Sequence, residues 1–276
     1  DTADVYGDGR SETVIRRYKD CSKVSNFVAT KVGRSARLYP DKYTYEGVRN
    51  DVDASRKRLG VDSIDLVQLH CVPPEVLRDG QIFQDMNRLT SEGYFRNWGA
   101  SVETLEEAKI CLDQDGLATL QIIFNLYRQD AVTELFPLAQ ERNVGIIVRL
   151  PLASGMLTGK FSSNHKFPET DHRNYNAEGA AFSVGETFSG IELRKGVAAL
   201  KLLEPYVPKG WTLADFALRW ILDHPAVSTV IAGCSSPVQV RANARASDLE
   251  PLSQAAHDAL MDIYRSEIRP LVRCQI

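Results

Sequence analysis

Short apolar runs alternate along the chain with longer segments whose apolar residues recur every three or four positions. The short runs are rich in β-branched and aromatic residues, which is typical of buried strands, and the longer spacing is typical of amphipathic helices. This repeated alternation of strand and helix predicts parallel β/α units. The predicted strands span residues 27–31, 64–70, 95–101, 119–125, 144–150 and 229–233.

The number of units favours a closed barrel. Six units and a further strand that ends at Asp1 give seven strands, one fewer than a (β/α)8 TIM barrel contains. The competing architecture is an open doubly wound sheet, whose dinucleotide-binding form carries Gly-x-Gly-x-x-Gly after its first strand. The nearest match begins at Gly7 and has Glu12 in place of the third glycine. We therefore predict one barrel domain over residues 1–276 that is incomplete at its N-terminus, with the first strand and helix lying upstream of Asp1.

Two segments depart from the repeat. Residues 151–191 show no periodicity and hold many Gly, Ser, Asn and Asp residues, which predicts a long loop of the kind that usually carries function. Residues 253–269 predict a terminal helix with Ser253 as its N-cap.

Composition narrows the class of protein. Hydrophobic residues make up 43% and charged residues 25% of the 276 residues, which is typical of a globular protein. The formal charge of -3 predicts neither a nucleic-acid partner nor an anionic membrane surface. We see no apolar run of transmembrane length and no signal peptide, and therefore expect a cytoplasmic protein without a membrane partner. The five cysteines are scattered, which predicts reduced thiols and no metal site.

Ionisable side chains lie at the ends of successive predicted strands. Asp1 and Tyr6 follow the first strand, Lys31 ends the next, and His70 ends the one after that. Catalytic groups of a parallel barrel collect at the C-terminal ends of its strands, so these four side chains are expected at one mouth. Taken singly, Lys31 is more typical of a surface lysine and His70 of a hydrogen-bonded core histidine.

Taken together, the four residues suit a proton transfer. A phenol, with a pKa of about 10, is a poor acid at neutral pH, and a nearby ammonium group lowers such a pKa while a carboxylate keeps the ammonium charged. We therefore predict Tyr6 as a general acid that Lys31 and Asp1 support. His70 is predicted to donate a hydrogen bond to a carbonyl oxygen and orient it. The set suits carbonyl reduction with hydride from a bound cofactor.

At these positions the sequence resembles the aldo-keto reductase superfamily, and the similarity spans nearly the whole chain. The matching segments are Asp-Thr-Ala-Asp-Val-Tyr-Gly at 1–7, Ala-Thr-Lys at 29–31 and Asp-Leu-Val-Gln-Leu-His at 65–70. The resemblance implies a (β/α)8 barrel that binds NAD(P)H without a Rossmann fold and reversibly reduces an aldehyde or ketone to an alcohol. It implies a small-molecule carbonyl substrate, and we expect a monomer or weak homo-oligomer.

Further matches to the family concern the nicotinamide. Trp-Gly-Ala-Ser at 98–101 resembles a segment in which serine and asparagine hold the carboxamide, but Val102 replaces the asparagine. The resemblance therefore assigns this contact mainly to Ser101 and Gln121, although Gln121 is also compatible with a satisfied core amide. Arg149 stands where relatives often stack an aromatic ring. Its guanidinium is expected either to stack on the nicotinamide or to turn away and pair with a carboxylate.

Residues 151–160 resemble the family loop that lies over the pyrophosphate, where glycine lets the backbone approach phosphate closely. The spacing does not match a Walker loop, so ATP chemistry is not predicted. The candidate residues of this loop are Pro151, Leu152, Ser154, Gly155, Leu157 and Lys160.

Residues 231–243 resemble the adenosine-phosphate site. Family members that insist on NADPH often place a lysine and an arginine where this chain has Gly233 and Gln239. A helix N-terminus with Ser235 also suits a 2′-phosphate, so we predict NADPH with modest discrimination, NADH being possible. Gln239 and Asn243 are also compatible with a merely decorated helix surface.

Two functions of different classes follow from the resemblance. The first is an NADPH-dependent oxidoreductase. The second is a cofactor-binding regulatory subunit with little turnover, because barrels of this family also serve as auxiliary subunits of potassium channels. The hydrophilic loop at 151–191 favours the enzyme. A barrel hydrolase is not predicted, because the strand ends carry neither paired carboxylates nor a metal cluster.

Overall fold

The computed structural model describes residues 1–22 and 25–276. The chain forms two compact units. The first comprises Asp1–Gln121 and Leu138–Gly145, and the second comprises Ile122–Pro137 and Ile146–Ile276.

Parallel strands form the centre of the first unit. They are β1 (Ala29–Val32), β2 (Ile64–His70), β3 (Phe95–Ser101) and β4 (Leu117–Ile123), and the last two residues of β4 belong to the second unit. The bounds of β2 and β3 coincide with those predicted from the apolar runs. In register, Lys31 lies opposite Gln68, His70 opposite Ser101, and Ser101 opposite Gln121.

Helices follow the strands as predicted. They are α1 (Arg10–Cys21), α2 (Tyr45–Leu59), α3 (Pro74–Asp79), α4 (Gln81–Ser91) and α5 (Leu105–Leu112), and α6 (Ala131–Glu134) and α7 (Phe136–Glu141) come after β4. Local sequence sets the ends of α2, because the Thr44 side chain accepts a hydrogen bond from the Gly47 amide and Gly60 ends the helix in a left-handed conformation, with φ 67°.

The core of the first unit lies between the strands and these helices. Trp98 on β3 stacks on Phe83 of α4 with ring centroids 5.8 Å apart, and its indole N–H donates to Asn87 Oδ1 over 2.8 Å. Both rings are buried, so the apolar faces of strand and helix hold each other in place while the single polar atom of the indole stays hydrogen-bonded.

The second unit contains β5 (Gly145–Arg149) paired in parallel with β6 (Val227–Val230). Its longer helices are α9 (Leu193–Leu203), α10 (Leu213–Leu222), α11 (Pro237–Arg245) and α12 (Gln254–Ile263). Phe124 packs at 4.9 Å against Trp220 and at 4.8 Å against Phe136, and this aromatic cluster forms part of the core.

Two further predictions are confirmed in the second unit. Ser253 caps α12 by accepting a hydrogen bond from the Ala256 amide, and a π turn (Tyr264–Ile268) and a 3-10 turn (Arg269–Leu271) extend the helix. The predicted loop at 151–191 holds only short helical pieces, namely α8 (His172–Tyr175) and 3-10 turns at Ala153–Thr158, Val184–Glu186 and Phe188–Gly190. Across residues 1–22 and 25–276, every helix is too short or too polar to cross a bilayer.

Candidate active site

The segment that opens the chain runs alongside β1. The backbone amides of Thr2 and Asp4 donate to the carbonyl oxygens of Ala29 and Lys31 over 2.8 and 3.4 Å. This two-residue spacing is the hydrogen-bond pattern of a parallel strand pair. It brings the carboxylate of Asp1 next to the lysine of β1.

The Lys31 ammonium group is the centre of the site. Its Nζ donates to Asp1 Oδ1 over 2.5 Å, to the Thr2 carbonyl over 2.9 Å and to Tyr6 Oη over 3.4 Å. An ammonium has three N–H donors, and these acceptors include one charged oxygen that pairs with it. The side chain is 1% exposed, so Lys31 is a buried, paired cation and not a surface lysine.

Tyr6 and His70 lie together beside this cation. Their rings meet edge to face, with centroids 5.8 Å apart and planes at 83°, and Lys31 Nζ is 4.9 Å from the centre of the tyrosine ring. Tyr6 is 43% exposed whereas His70 is buried. Because Tyr6 Oη accepts from Lys31, its own hydrogen is left to be donated to another acceptor. The geometry therefore brings the four predicted side chains together around an accessible hydroxyl.

Two buried amides contact the other oxygen of Asp1. Gln121 Nε2 donates to Asp1 Oδ2 over 2.9 Å and Gln68 Nε2 donates to it over 3.3 Å. The sequence predicts a different contact for Gln121 and none for Gln68. A signal for Gln68 was present, because a polar residue two positions before His70 in an apolar strand projects to the same side of the sheet.

Ser101 ends β3 and Val102 follows it, next to Gln121 on β4. Ser101 is 2% exposed and is the in-register neighbour of Gln121 on the adjacent strand. The amide of Val102 donates to the carbonyl of Gln121 over 3.0 Å, and its side chain is buried. Val102 is thus a packed apolar residue, and Ser101 and Gln121 are neighbours across the two strands.

A buried carboxylate also holds the helix that follows Tyr6. Glu12 on α1 is 0% exposed, accepts from Thr30 Oγ1 over 2.5 Å and accepts from Arg58 Nε over 2.6 Å. These contacts join α1 to β1 and to α2, next to Lys31. The sequence shows Glu12 only as the residue that replaces the third glycine of the Gly-x-Gly-x-x-Gly pattern.

Asp4 is an unusual carboxyl group two residues before Tyr6. Burial raises its pKa to about 6, and a hydrogen bond from the Val5 amide opposes part of that rise. Asp51 and Glu12 add to the rise through charge repulsion.

In the second unit, Arg149 ends β5 and forms an ion pair with Glu186, Nη1 to Oε1 3.2 Å. Both side chains are mostly buried. Of the two alternatives for Arg149, the structure therefore has the guanidinium paired with a carboxylate.

The predicted pyrophosphate loop is strained. Ala153, Ser154 and Gly155 are three consecutive left-handed residues, with φ of 47°, 56° and 92°. Left-handed backbone costs about 1–2 kcal/mol for each non-glycine residue, and such strain clusters at ligand-binding segments. The hydroxyl of Ser154 donates to the Glu186 carbonyl and accepts from the Phe188 amide, each over 3.2 Å, so the following loop holds this turn in place.

The remaining loop residues differ in exposure. Pro151 and Leu157 are buried, Leu152 is half-buried and Lys160 is exposed. The loop thus combines a packed apolar side with a cationic side chain in solvent.

The predicted adenosine-phosphate residues meet where the preceding turn, with Gly233 and Ser235, joins α11, with Gln239 and Asn243. The amide and hydroxyl of Ser235 donate to Gln239 Oε1 over 2.7 and 3.1 Å, and Asn243 Nδ2 donates to the Gly233 carbonyl over 3.4 Å. Gln239 and Asn243 therefore organise the turn instead of only covering the helix surface. A side chain at Gly233 would meet no atom within 4 Å, so the turn is open at that point.

Comparison with known proteins agrees with this architecture. The model of the Aldo/keto reductase family matches residues 1–265. The chain is 28% identical over 265 residues to the NADH-specific methylglyoxal reductase of Escherichia coli, which covers 90% of this chain and 78% of that protein. It is 29% identical over 273 residues to a probable voltage-gated potassium channel subunit beta of Arabidopsis thaliana, which covers 91% of this chain and 78% of that one.

Two solved structures show the fold to which this chain is similar. The glycerol dehydrogenase of Gluconobacter oxydans superimposes with a TM-score of 0.76 and 26% identity, over 99% of this chain and 83% of that one. The holo form of an aldo-keto reductase from Bacillus halodurans superimposes with a TM-score of 0.73 and 27% identity, over 95% of this chain and 80% of that one. The chain is an oxidoreductase with a TIM barrel fold, as predicted. It belongs to the aldo/keto reductase family, whose members use nicotinamide cofactors.

Proposed function

We propose that the protein reduces an aldehyde or ketone to the alcohol at the expense of NADPH or NADH, with Tyr6 as the general acid. The observation that carries the proposal is the buried Lys31 ammonium, which donates a hydrogen bond to Tyr6 Oη. A cation held at this atom stabilises the phenolate that forms as the proton leaves. Asp1 keeps the lysine charged, and the exposed phenol is accessible to a substrate oxygen.

Each residue of the site has a separate proposed role in the reaction. The nicotinamide, when bound, supplies a hydride to the carbonyl carbon. Tyr6 Oη donates its proton to the carbonyl oxygen, so that the C=O bond becomes C–H and O–H. His70, at the edge of the tyrosine ring, hydrogen-bonds the same oxygen and directs it toward Oη. Lys31 and Asp1 hold the charge that remains on the phenol oxygen.

The structure offers residues that fit the cofactor. Ser101 and Gln121 are proposed to hold the carboxamide, since Gln121 turns only its nitrogen toward Asp1. The strained turn at 153–155 supports a pyrophosphate contact by the backbone, with Lys160 nearby in sequence. The proposed cofactor residues of the second unit are Pro151, Leu152, Ser154, Gly155, Leu157, Lys160, Gly233, Ser235, Gln239 and Asn243.

Cofactor choice rests on the turn before α11. Ser235, Gln239 and Asn243 supply polar atoms and a helix N-terminus for a 2′-phosphate, which favours NADPH. The turn lacks a cationic side chain at positions 233 and 239, so discrimination against NADH is expected to be modest. The Escherichia coli relative, by its name, is NADH-specific.

One assay tests the enzyme against the alternative. We expect the wild-type protein to oxidise NADPH, and NADH more slowly, when it is given small aldehydes and ketones from a panel. The similarity to a potassium channel subunit favours the second candidate, a cofactor-binding regulatory subunit with little turnover. Tight binding of NADPH without oxidation by any carbonyl of the panel would support that candidate and contradict the proposed reductase.

A further inference from the structure

We infer that Gln68 is a positioning residue that, together with Gln121, fixes the Asp1 carboxylate so that its second oxygen is held for Lys31. The inference rests on the proposed function for its kinetic consequences, but the contact itself is a property of the free protein. It adds to the reaction a residue that does not touch the reacting atoms.

Gln68 occupies a position where an amide is costly. It lies in the middle of β2, is 0% exposed and has Val67 and Leu69 as buried neighbours. A buried amide without hydrogen bonds is unfavourable, so its partners indicate why it is tolerated. Both ends of this amide are used: Nε2 donates to Asp1 Oδ2 over 3.3 Å, and Oε1 accepts from Gln121 Nε2 over 3.4 Å.

These contacts determine which way the carboxylate faces. Oδ2 of Asp1 takes the two amide donors, whereas Oδ1 takes the ammonium of Lys31 over 2.5 Å. A carboxylate with donors on both oxygens cannot rotate without breaking them. Hydrogen bonds to a carboxylate also favour its ionised form. Gln68 therefore acts on Lys31, and through Lys31 on Tyr6, by keeping Asp1 charged and oriented.

The two glutamines are expected to differ in what they affect. Gln121 is shared between Asp1 and the proposed carboxamide contact, so its loss should change both cofactor affinity and turnover. Gln68 contacts the same Asp1 oxygen, and without Gln68 the Gln121 side chain keeps its shorter bond to Asp1, 2.9 Å against the 3.4 Å to Gln68. Loss of Gln68 should therefore reduce turnover with little change in cofactor affinity. A purely structural role would instead lower stability and leave the pH dependence of turnover unchanged.

The test compares Gln68→Met with Gln129→Met. Methionine has nearly the length of glutamine but no donor. Gln129 is equally buried, and its Nε2 donates to the backbone carbonyls of Leu126 and Leu260, so it controls for the loss of a buried amide in general.

In Gln68→Met we expect kcat to fall about tenfold, because a hydrogen bond to a charged group is lost, with the cofactor Kd within about twofold of the wild type. The pH profile of turnover should also move, because the charge beside Tyr6 Oη is held less firmly. In Gln129→Met the pH profile should not move.

A cofactor-free measurement separates this inference from the proposed function. A buried, hydrogen-bonded lysine ammonium gives a slowly exchanging 15Nζ signal in NMR, and Lys31→Arg assigns it by its disappearance. We expect Gln68→Met to broaden this signal and Gln129→Met to leave it in place. A wild-type protein without carbonyl reductase activity would contradict the function alone. An unchanged signal in Gln68→Met would overturn the positioning role, and so would an unchanged kcat and pH profile in an active enzyme.

Discussion

The buried ammonium of Lys31 is stable only because neighbouring residues pair with it. A buried ammonium is unfavourable unless its charge is paired and each N–H has an acceptor. Asp1, the Thr2 carbonyl and Tyr6 meet that requirement. The same three contacts that make the lysine tolerable in the core also place its charge at the phenol. Stability and chemistry therefore depend on the same atoms.

Removal of the tyrosine hydroxyl tests the proton donor. We expect Tyr6→Phe to reduce carbonyl turnover by about 10²- to 10⁴-fold, because a general acid contributes that much. NADPH affinity, measured by fluorescence titration, should stay nearly unchanged, since the hydroxyl is not proposed to hold the cofactor. Tyr18→Phe on the exposed face of α1 is the matched control. Turnover of Tyr6→Phe within a few-fold of the wild type would rule out the acid role.

Removal of the ammonium tests its coupling to the phenol. Lys31→Met should lose most activity, and its residual activity should follow a different pH profile, because the charge that stabilises the phenolate is gone. Lys57→Met provides the control, since that lysine is 77% exposed and pairs with Asp53 on the surface of α2. Identical pH profiles for Lys31→Met and wild type would contradict the coupling.

The raised pKa of Asp4 is expected to make the stability of the folded protein depend on pH. Its pKa is near 3.8 in the unfolded chain and about 6 in the folded protein, so the folded state binds the proton more tightly. Stability therefore falls as pH rises from about 4 to about 6 and stays reduced above that range. Asp4→Asn removes this loss and retains the carbonyl that accepts from Val5.

Urea unfolding checks this expectation. Relative to its value at pH 4, the stability of Asp4→Asn over the wild type should grow by about 2 kcal/mol at pH 7, the free energy of a shift of this size. A difference between the two proteins that is constant over pH 4 to 7 would show that Asp4 does not titrate in this way.

At the scale of elements, three segments are joined beneath the site by one buried charge. Glu12 links α1, which follows Tyr6, to Thr30 of β1 and to Arg58 of α2. The strand carries Lys31 and the helix continues from the loop that carries Tyr6. The relative position of the two side chains therefore depends on this contact as well as on the hydrogen bonds between them.

Loss of the Arg58 guanidinium is expected to destabilise the folded protein. We expect Arg58→Met to lower the free energy of unfolding by about 3–5 kcal/mol, because it leaves the fully buried Glu12 carboxylate without its cation. The neighbouring Lys57→Ala, which breaks an exposed pair, should change it by at most about 1 kcal/mol. The double variant Glu12→Gln, Arg58→Met should recover part of the loss in chemical denaturation. A loss in Arg58→Met as small as in Lys57→Ala would contradict the argument.

For the whole molecule, cofactor binding can be measured without turnover. A ligand that binds only the folded protein stabilises it by about 2.7 kcal/mol at 100 times its Kd. We expect NADPH to raise the melting temperature more than an equal concentration of NADH. In Gln239→Leu the advantage of NADPH should shrink while the NADH shift remains, because the Ser235 turn loses its acceptor. Equal shifts for both cofactors in the wild type would contradict a 2′-phosphate site at this turn.

Two strand ranges, the cap of the last long helix and the residue types of the cluster followed from the sequence, whereas the other four strands differ from their predicted bounds by one to three residues. The apolar runs at 64–70 and 95–101 coincide with β2 and β3, and Ser253 caps the final helix, because alternation and capping depend on neighbouring residues. Asp1, Tyr6, Lys31 and His70 could be found because each ends a strand or follows one, and because they match a family motif.

Which side chains hold these groups in place depends on packing between segments that are distant in the sequence. Gln121 contacts Asp1 across 120 positions of sequence, and Arg58 contacts Glu12 across 46. Arg149 had two alternatives in the sequence, and the choice of Glu186 as its partner depends on the path of a loop without periodicity. Local patterns specify secondary structure because they act within a few residues. The partners of a buried charge are set by packing, which brings together residues that no local pattern relates.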